Sequence, residues 1–241
     1  MLSETLTNPL VSVVVPVFNE EATLAKVLDR LLDLDLRIEI IVSDDGSVDR
    51  SRAIAASYAD RGVILVGSGS NWGKGHAIRQ AFLQTTGDIV LIQDADLEYD
   101  PSDIDKLVAP IISGVADVVF GTRFRGGEVQ RVHLFWHSVG NRTLTLITNV
   151  LFNSTLSDME VGYKAFRGDL LRSFRFTSDD FRIEPEMTAA VLTTPGLRIY
   201  EVPIGYYGRS FEEGKKITWR DGYRALGALI SLRVSPPKRE G

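Results

Sequence analysis

The chain has 241 residues, 44% hydrophobic and 24% charged, with a mean hydropathy of +0.02. These values exclude a disordered, collagen-like or low-complexity chain, and the length admits one large α/β domain or at most two small ones. There is no cysteine and the net charge is −5, which excludes disulfides, thiolate catalysis and Cys-ligated zinc, and fits a reducing cytoplasm.

Short β-branched runs alternate with helical patterns through the first half. Val11–Val17, 38–43, Val63–Val66, 89–93 and 118–121 read as strands, and their nearly continuous Val and Ile content suits burial on both faces of a parallel sheet. Residues 22–34, 49–59, 76–86 and Ile104–Ile112 read as helices; Leu24, Val27, Leu28, Leu31 and Leu32 form the stripe of the first, and Ser102 is the expected N-cap of the last. Further on, 134–152 reads as a long helix, 158–167 as a loop or short strand, 183–192 as a helix with Pro185 in its first turn, 197–207 as a strand and 218–234 as a final helix. The pattern predicts a doubly wound α/β sheet flanked by helices. No linker or repeat is evident, so residues 1–241 are read as one domain with a basic helical segment at about 209–241. That segment carries a net +4, leaving −9 on the rest. The two readings of it are a solvated helix face and a contact with something anionic, such as a membrane surface, phosphates or nucleic acid. No run approaches the ~20 apolar residues of a spanning helix, and MLSETLTNPL has no signal-peptide pattern.

Ligands of such sheets sit at the carboxyl ends of the strands. Those ends read Pro16-Val17-Phe18-Asn19-Glu20, Ser43-Asp44-Asp45-Gly46-Ser47, Gln93-Asp94-Ala95-Asp96-Leu97-Glu98 and Gly121-Thr122-Arg123. Acidic clusters gathered at one edge repel unless a cation or a donor-rich ligand intervenes. Asp94 and Asp96, two apart at a strand end, offer oxygen ligands that suit Mg2+ or Mn2+ bridging a diphosphate.

In this order and spacing, V-P-V-F-N-E, D-D-G-S, N-W-G-K-G, Q-D-A-D-L and G-T-R resemble an inverting glycosyltransferase of family 2. D-M-E-V-G-Y-K-A-F-R, F-R-I-E-P-E and G-R-S-F-E-E-G-K-K-I narrow the resemblance to the dolichyl-phosphate mannose synthase group of polyprenyl-phosphate hexosyltransferases. The resemblance covers roughly residues 10–225 and implies the GT-A nucleotide-sugar-binding fold. By the same resemblance, Pro16, Phe18, Glu20, Val42 and Asp44 would line the nucleoside pocket, and Asp45 would hold the loop. Asp94, Ala95 and Asp96 would hold metal and diphosphate. Glu98, where the group often has Gln, would be a third metal ligand or a solvated side chain. Arg123, Arg209 and Lys216 would meet phosphates, with Arg131 a further candidate for the acceptor phosphate. Some members of the group carry membrane helices and others depend on a small membrane-anchoring protein.

The chemistry agrees with that assignment. A departing nucleoside diphosphate gathers negative charge, which a metal on Asp94 and Asp96 and nearby cations would stabilise. A hydroxyl acceptor would need a carboxylate base, for which Asp158 is the candidate, although Asp158 is read more as a sugar or scaffold contact; a phosphate monoester, with a second pKa near 6, would not need one. The loop 67–75 matches neither the dinucleotide nor the P-loop spacing, and is read instead as packing the nucleotide-sugar site, with Lys74 near the diphosphate. His76, His133 and His137 lack a metal-pair pattern, no Q-x-x-R-W run of a processive synthase is present, and the acidic body argues against nucleic acid. Glu184 and Glu186, at a helix start, read equally as dipole partners and as substrate-site residues.

The expected function is metal-dependent transfer of a hexose or N-acetylhexosamine from a UDP- or GDP-sugar to polyprenyl phosphate, by an enzyme peripheral to the cytoplasmic face of the membrane. The alternatives are the same fold acting on a glycan or small-molecule hydroxyl, and a non-catalytic nucleotide-sugar-binding scaffold.

Overall fold

The computed structural model describes residues 5–67, 69–126, 131, 135–208, 219–237 and 239. Strands β1 (Val11–Val17), β2 (Ile38–Asp44), β3 (Val63–Val66), β4 (Ile89–Ile92), β5 (Val118–Thr122), β6 (Lys164–Arg167) and β7 (Ile199–Pro203) form one sheet in the order β3-β2-β1-β4-β6-β5-β7. β1 pairs in parallel with both β2 and β4, and β5 with β7, whereas β6 runs antiparallel to both β4 and β5. All strands except β6 therefore point the same way, and their carboxyl ends share one edge. Every residue of β4 and β5 is buried, as their unbroken apolar character requires of strands covered on both faces.

The covering helices are α1 (Leu24–Leu32), α2 (Ser51–Ser57), α3 (Lys74–Phe82), α4 (Ile104–Ile112), α5 (Phe135–Phe152), α6 (Gly168–Ser173), α7 (Ile183–Thr193) and α8 (Trp219–Val234). α1 buries Leu24, Val27, Leu28 and Leu31. α7 is buried on all sides from Ile183 to Val191, so its first-turn acids need partners inside the protein.

Two local readings are corrected. Ser102 does not cap α4 but lies in a short 3-10 turn ahead of it, which Asp100 caps by accepting from Ser102 N at 3.0 Å; Asp103 stands at the N-cap position of α4. α3 starts at Lys74, two residues before the expected start. Gly73 turns the chain directly into the helix with φ +109°, where a Cβ would meet the Asp179 carbonyl oxygen at 2.5 Å. On α8, Ala225 and Leu229 are buried where the helix packs on α5 and α7, while Ile230 and Val234 are exposed. Arg209, Lys216 and Ile217, and the side chains of Trp219 and Tyr223, lie outside the described residues.

Candidate active site

The carboxyl edge is assembled from backbone register. Val17 is paired with Asp44 across β1 and β2, and Gln93 N donates to Val14 O at 2.9 Å, which brings Asp94 level with the end of β1. The loops after these strands are then tied to one another. Asn19 N donates to Ser47 Oγ at 3.0 Å, Val48 N to Asn19 Oδ1 at 2.9 Å, and Glu20 N to Ser51 Oγ at 2.8 Å. Thr23 Oγ1 donates to the Ala95 carbonyl at 2.7 Å, anchoring the D-x-D turn to the start of α1.

On the nucleotide side, Asp45 accepts from Trp72 N at 2.8 Å and Gly73 N at 2.9 Å, so it holds the 67–75 loop. The fully enclosed Asp44 carboxylate lies 3.3 Å from Arg52 and accepts from Ser47 N. Pro16, Phe18 and Glu20 are half-buried along this edge, with Glu20 accepting from Thr23 Oγ1 at 3.2 Å. Val42 has no exposed surface and Ala95 almost none, so both form the floor rather than the wall of the crevice.

The D-x-D turn has a cation in contact with it. Lys74 Nζ, at the first position of α3, lies 2.8 Å from Asp94 Oδ1 and 3.2 Å from Glu184 Oε1. The second oxygen of Glu184 meets Lys164 Nζ at 2.5 Å, and Lys164, on β6 with no exposed surface, also donates to the Val161 carbonyl. Buried Glu and Lys side chains persist when paired in this way. Burial disfavours the Lys74 ammonium, but Asp94 and Glu184 outweigh it and raise its pKa. Gly162 makes room for the turn: a Cβ there would meet Asp94 Oδ2 at 2.6 Å. Asp96 Oδ1 accepts from Glu98 N at 3.0 Å, with Leu97 between them at φ +60°.

The expected phosphate-binding side is organised differently from the sequence reading. Arg123, expected to meet phosphate, is buried, and its Nε and Nη2 donate to Asp158 at 2.6 and 2.7 Å while its backbone N donates to the same carboxylate. Its guanidinium lies 5.0 Å from the centre of the Tyr206 ring. Tyr206 in turn donates to Glu98 Oε2 at 2.8 Å, so that the proposed third metal ligand faces a phenol. Burial, then Glu98, raise the Tyr206 pKa against the opposing pull of Arg123. Arg131 Nη1 donates to the Gly208 carbonyl at 2.8 Å, just ahead of the segment that carries Arg209.

The two acids at the start of α7 have separate duties. Glu186 accepts from Thr177 N, Thr177 Oγ1 and Ser178 N and is structural, whereas Glu184 joins Lys74 to Lys164. Lys164 and Glu160 were not singled out from the sequence. The available signal was the charge of Lys164 within the otherwise uncharged run 161–166, which had to find a partner once buried. Among the described residues no group of three or more His, Asp or Glu side chains is arranged to hold a metal ion.

A doubly wound sheet whose strand order reverses beside β1, with acids and a lysine at that crevice, defines a ligand-binding α/β protein. The chain belongs to glycosyl transferase family 2, whose model matches residues 12–174. It is 43% identical over 212 residues to an undecaprenyl-phosphate 4-deoxy-4-formamido-L-arabinose transferase of Proteus mirabilis, covering 85% of this chain and 62% of that protein. It is 32% identical over 230 residues to a low-salt glycan biosynthesis hexosyltransferase of Haloferax volcanii, covering 92% of this chain and 53% of that protein. The chain thus spans little more than half the length of these relatives. Its fold is similar to that of glucosyl-3-phosphoglycerate synthase from Mycobacterium tuberculosis, with a TM-score of 0.74 at 23% identity over 95% of this chain and 80% of that one. The GT-A architecture expected from the sequence is the one found. That neighbour was crystallised with Mn2+, UDP and phosphoglyceric acid.

Proposed function

We propose that the protein transfers a hexose or N-acetylhexosamine, with inversion, from a UDP- or GDP-sugar to polyprenyl phosphate. The observation that carries the reading is the contact of Lys74 with Asp94 at the reversal point of the sheet, with Asp96 in the same turn. It gathers two carboxylates and a cation where a diphosphate would lie. The similarity to the undecaprenyl-phosphate transferase of Proteus mirabilis supports the lipid-phosphate acceptor, and the UDP complex of the structural neighbour supports the donor class.

Two carboxylates, with substrate phosphates and water completing the shell, suit Mg2+ or Mn2+, and the space left by Gly162 accommodates the Asp94 side chain. Bound there by Asp94 and Asp96, the ion would neutralise charge growing on the departing diphosphate. Lys74 adds a second positive charge on the same side. Thr23, through Ala95, keeps the turn from shifting as the donor binds.

The state of the carboxylates favours a phosphate nucleophile. Asp158, the candidate base for a hydroxyl acceptor, is held by three N–H donors of Arg123, and Glu98 accepts from Tyr206. A phosphate monoester needs no base at neutral pH. It needs cations, for which Arg131, Arg209 and Lys216 are the proposed ligands, with Arg123 shaping the wall through Asp158.

The acceptor's membrane location is supported by α5. Phe135, Val139, Leu146 and Val150 are exposed along one face at 3–4 residue spacing with Arg142, whose guanidinium lies 5.6 Å from the centre of the Phe124 ring beside Arg123. No helix among the described residues is long and apolar enough to cross a membrane. The proposal is peripheral binding at the cytoplasmic face, through this stripe and the basic residues of α8, with a small membrane-anchoring protein as a further partner. The decisive assay offers radiolabelled UDP- and GDP-sugars with polyprenyl phosphate, free polyprenol or a simple sugar. Label in the lipid phase with polyprenyl phosphate alone is expected; equal transfer to free polyprenol or to a simple sugar refutes the acceptor.

A further inference from the structure

Asp94, Lys74, Glu184 and Lys164 form a line of alternating charge, with contacts of 2.8, 3.2 and 2.5 Å. The line is electrically balanced without any bound ion. Asp94 stands at its outer end with Lys74 next to it, both partly exposed, while Lys164 at the inner end is sealed. A divalent ion brought to Asp94 would face the Lys74 ammonium across the same carboxylate, and two cations that close repel in a partly buried setting. Either the ion fails to bind or Lys74 withdraws. Withdrawal costs little if an anion arrives with the metal to receive the lysine, because Glu184 retains its other side and the inner pair with Lys164 stays intact.

We propose that Lys74 is a placeholder cation on Asp94, pivoting on Glu184, which makes the binding of a divalent cation and of a nucleoside diphosphate depend on each other. This rests on the reading of Asp94 and Asp96 as the metal and diphosphate site. Lys74 excludes the metal from Asp94 while the diphosphate is absent and transfers to the diphosphate when both arrive. By linkage, the factor by which nucleotide tightens metal binding equals the factor by which metal tightens nucleotide binding. The consequence for the enzyme is that bare metal and bare nucleotide each bind weakly, and the loaded pair binds well.

The test measures Mn2+ affinity of the full chain by electron paramagnetic resonance of free Mn2+, alone and with saturating UDP or GDP, with no turnover involved. Lys74→Met is expected to bind Mn2+ alone about tenfold more tightly than the wild type, to bind the nucleotide more weakly, and to lose about tenfold of the coupling. Lys74→Arg, which keeps a cation on Asp94, is expected to restore wild-type behaviour. Tighter Mn2+ binding alone is an outcome that a merely misfolded site would not produce. If Asp94→Asn abolishes Mn2+ binding but Lys74→Met leaves it unchanged or weakened, the placeholder is refuted and the site reading stands. If Asp94→Asn leaves Mn2+ binding unchanged, both are refuted.

Discussion

Arg123 and Asp158 form a buried two-toothed ion pair at the carboxyl end of β5, with Nε–Oδ2 and Nη2–Oδ1 separations of 2.6 and 2.7 Å. The pair joins β5 to the loop that leads into β6 and places the Arg123 guanidinium against Tyr206. Removing one partner leaves the other charge buried and uncompensated, which costs about 3–5 kcal/mol. Asp158→Ala is expected to lower the Tm by roughly 10 °C in a chain of this size. Replacing both residues together, as Arg123→Met with Asp158→Leu, is expected to recover most of that loss. A thermal scan showing no change for Asp158→Ala would mean that the pair adds nothing to stability.

Asp96→Asn retains the oxygen that accepts from Glu98 N but removes a charged oxygen ligand. Transfer is expected to fall by about 10²–10³-fold, in the range seen when one electrostatic stabiliser of a transition state is removed, with the Tm nearly unchanged. Excess EDTA is expected to do the same to the wild type. Full turnover in chelator excludes the metal from the reaction.

Glu160 supplies a pH dependence. Its Oε1 is enclosed with no hydrogen-bond partner among the described residues. Burial, aided by Glu184 and opposed by Lys164, pushes its carboxyl up from 4.5 to about 7. The folded chain therefore holds a proton that the unfolded chain releases between those values. The contribution of this group to stability is full below pH 4.5 and declines as pH rises to about 7, by on the order of 3 kcal/mol. Glu160→Gln is expected to remove that decline, so its Tm exceeds that of the wild type at pH 8 and the two converge near pH 4.5. Parallel Tm curves across this range would sink the assignment.

The exposed stripe of α5 predicts lipid binding with two separable parts. Leu146→Gln with Val150→Gln removes apolar contact, each side chain being worth up to about 1.5–3 kcal/mol when fully buried. Co-sedimentation with both neutral and anionic liposomes is expected to fall about tenfold or more. Arg224→Gln with Arg233→Gln is expected to weaken binding to anionic liposomes only, and chiefly at low salt, at about 1 kcal/mol for each charge. Unaltered sedimentation of both variants would exclude this face as the membrane contact.

Most of the scaffold was legible because its signals are local. The apolar runs of β1 to β5 and the stripe of α1 repeat at the periods of strand and helix, and D-D-G-S and D-A-D mark the strand ends whatever the rest of the chain does. Residue type and spacing were enough to place Asp44, Asp45, Asp94 and Asp96 at one edge and to identify the family. Pairing partners were not legible, because they join residues far apart in sequence. Nothing local tells β6 to enter the sheet antiparallel between β4 and β5, yet that insertion carries Lys164 to Glu184 and sets Gly162 against Asp94. The same is true of Arg123, whose position after a strand reads as a free cation. Folding brings Asp158, 35 residues away, against it, and a buried guanidinium takes the nearest carboxylate because leaving either charge unpaired in the interior costs more than any single contact with a ligand returns. The sequence alone determined which groups stand at the edge of the sheet; the tertiary structure decided which of their charges are already answered from within.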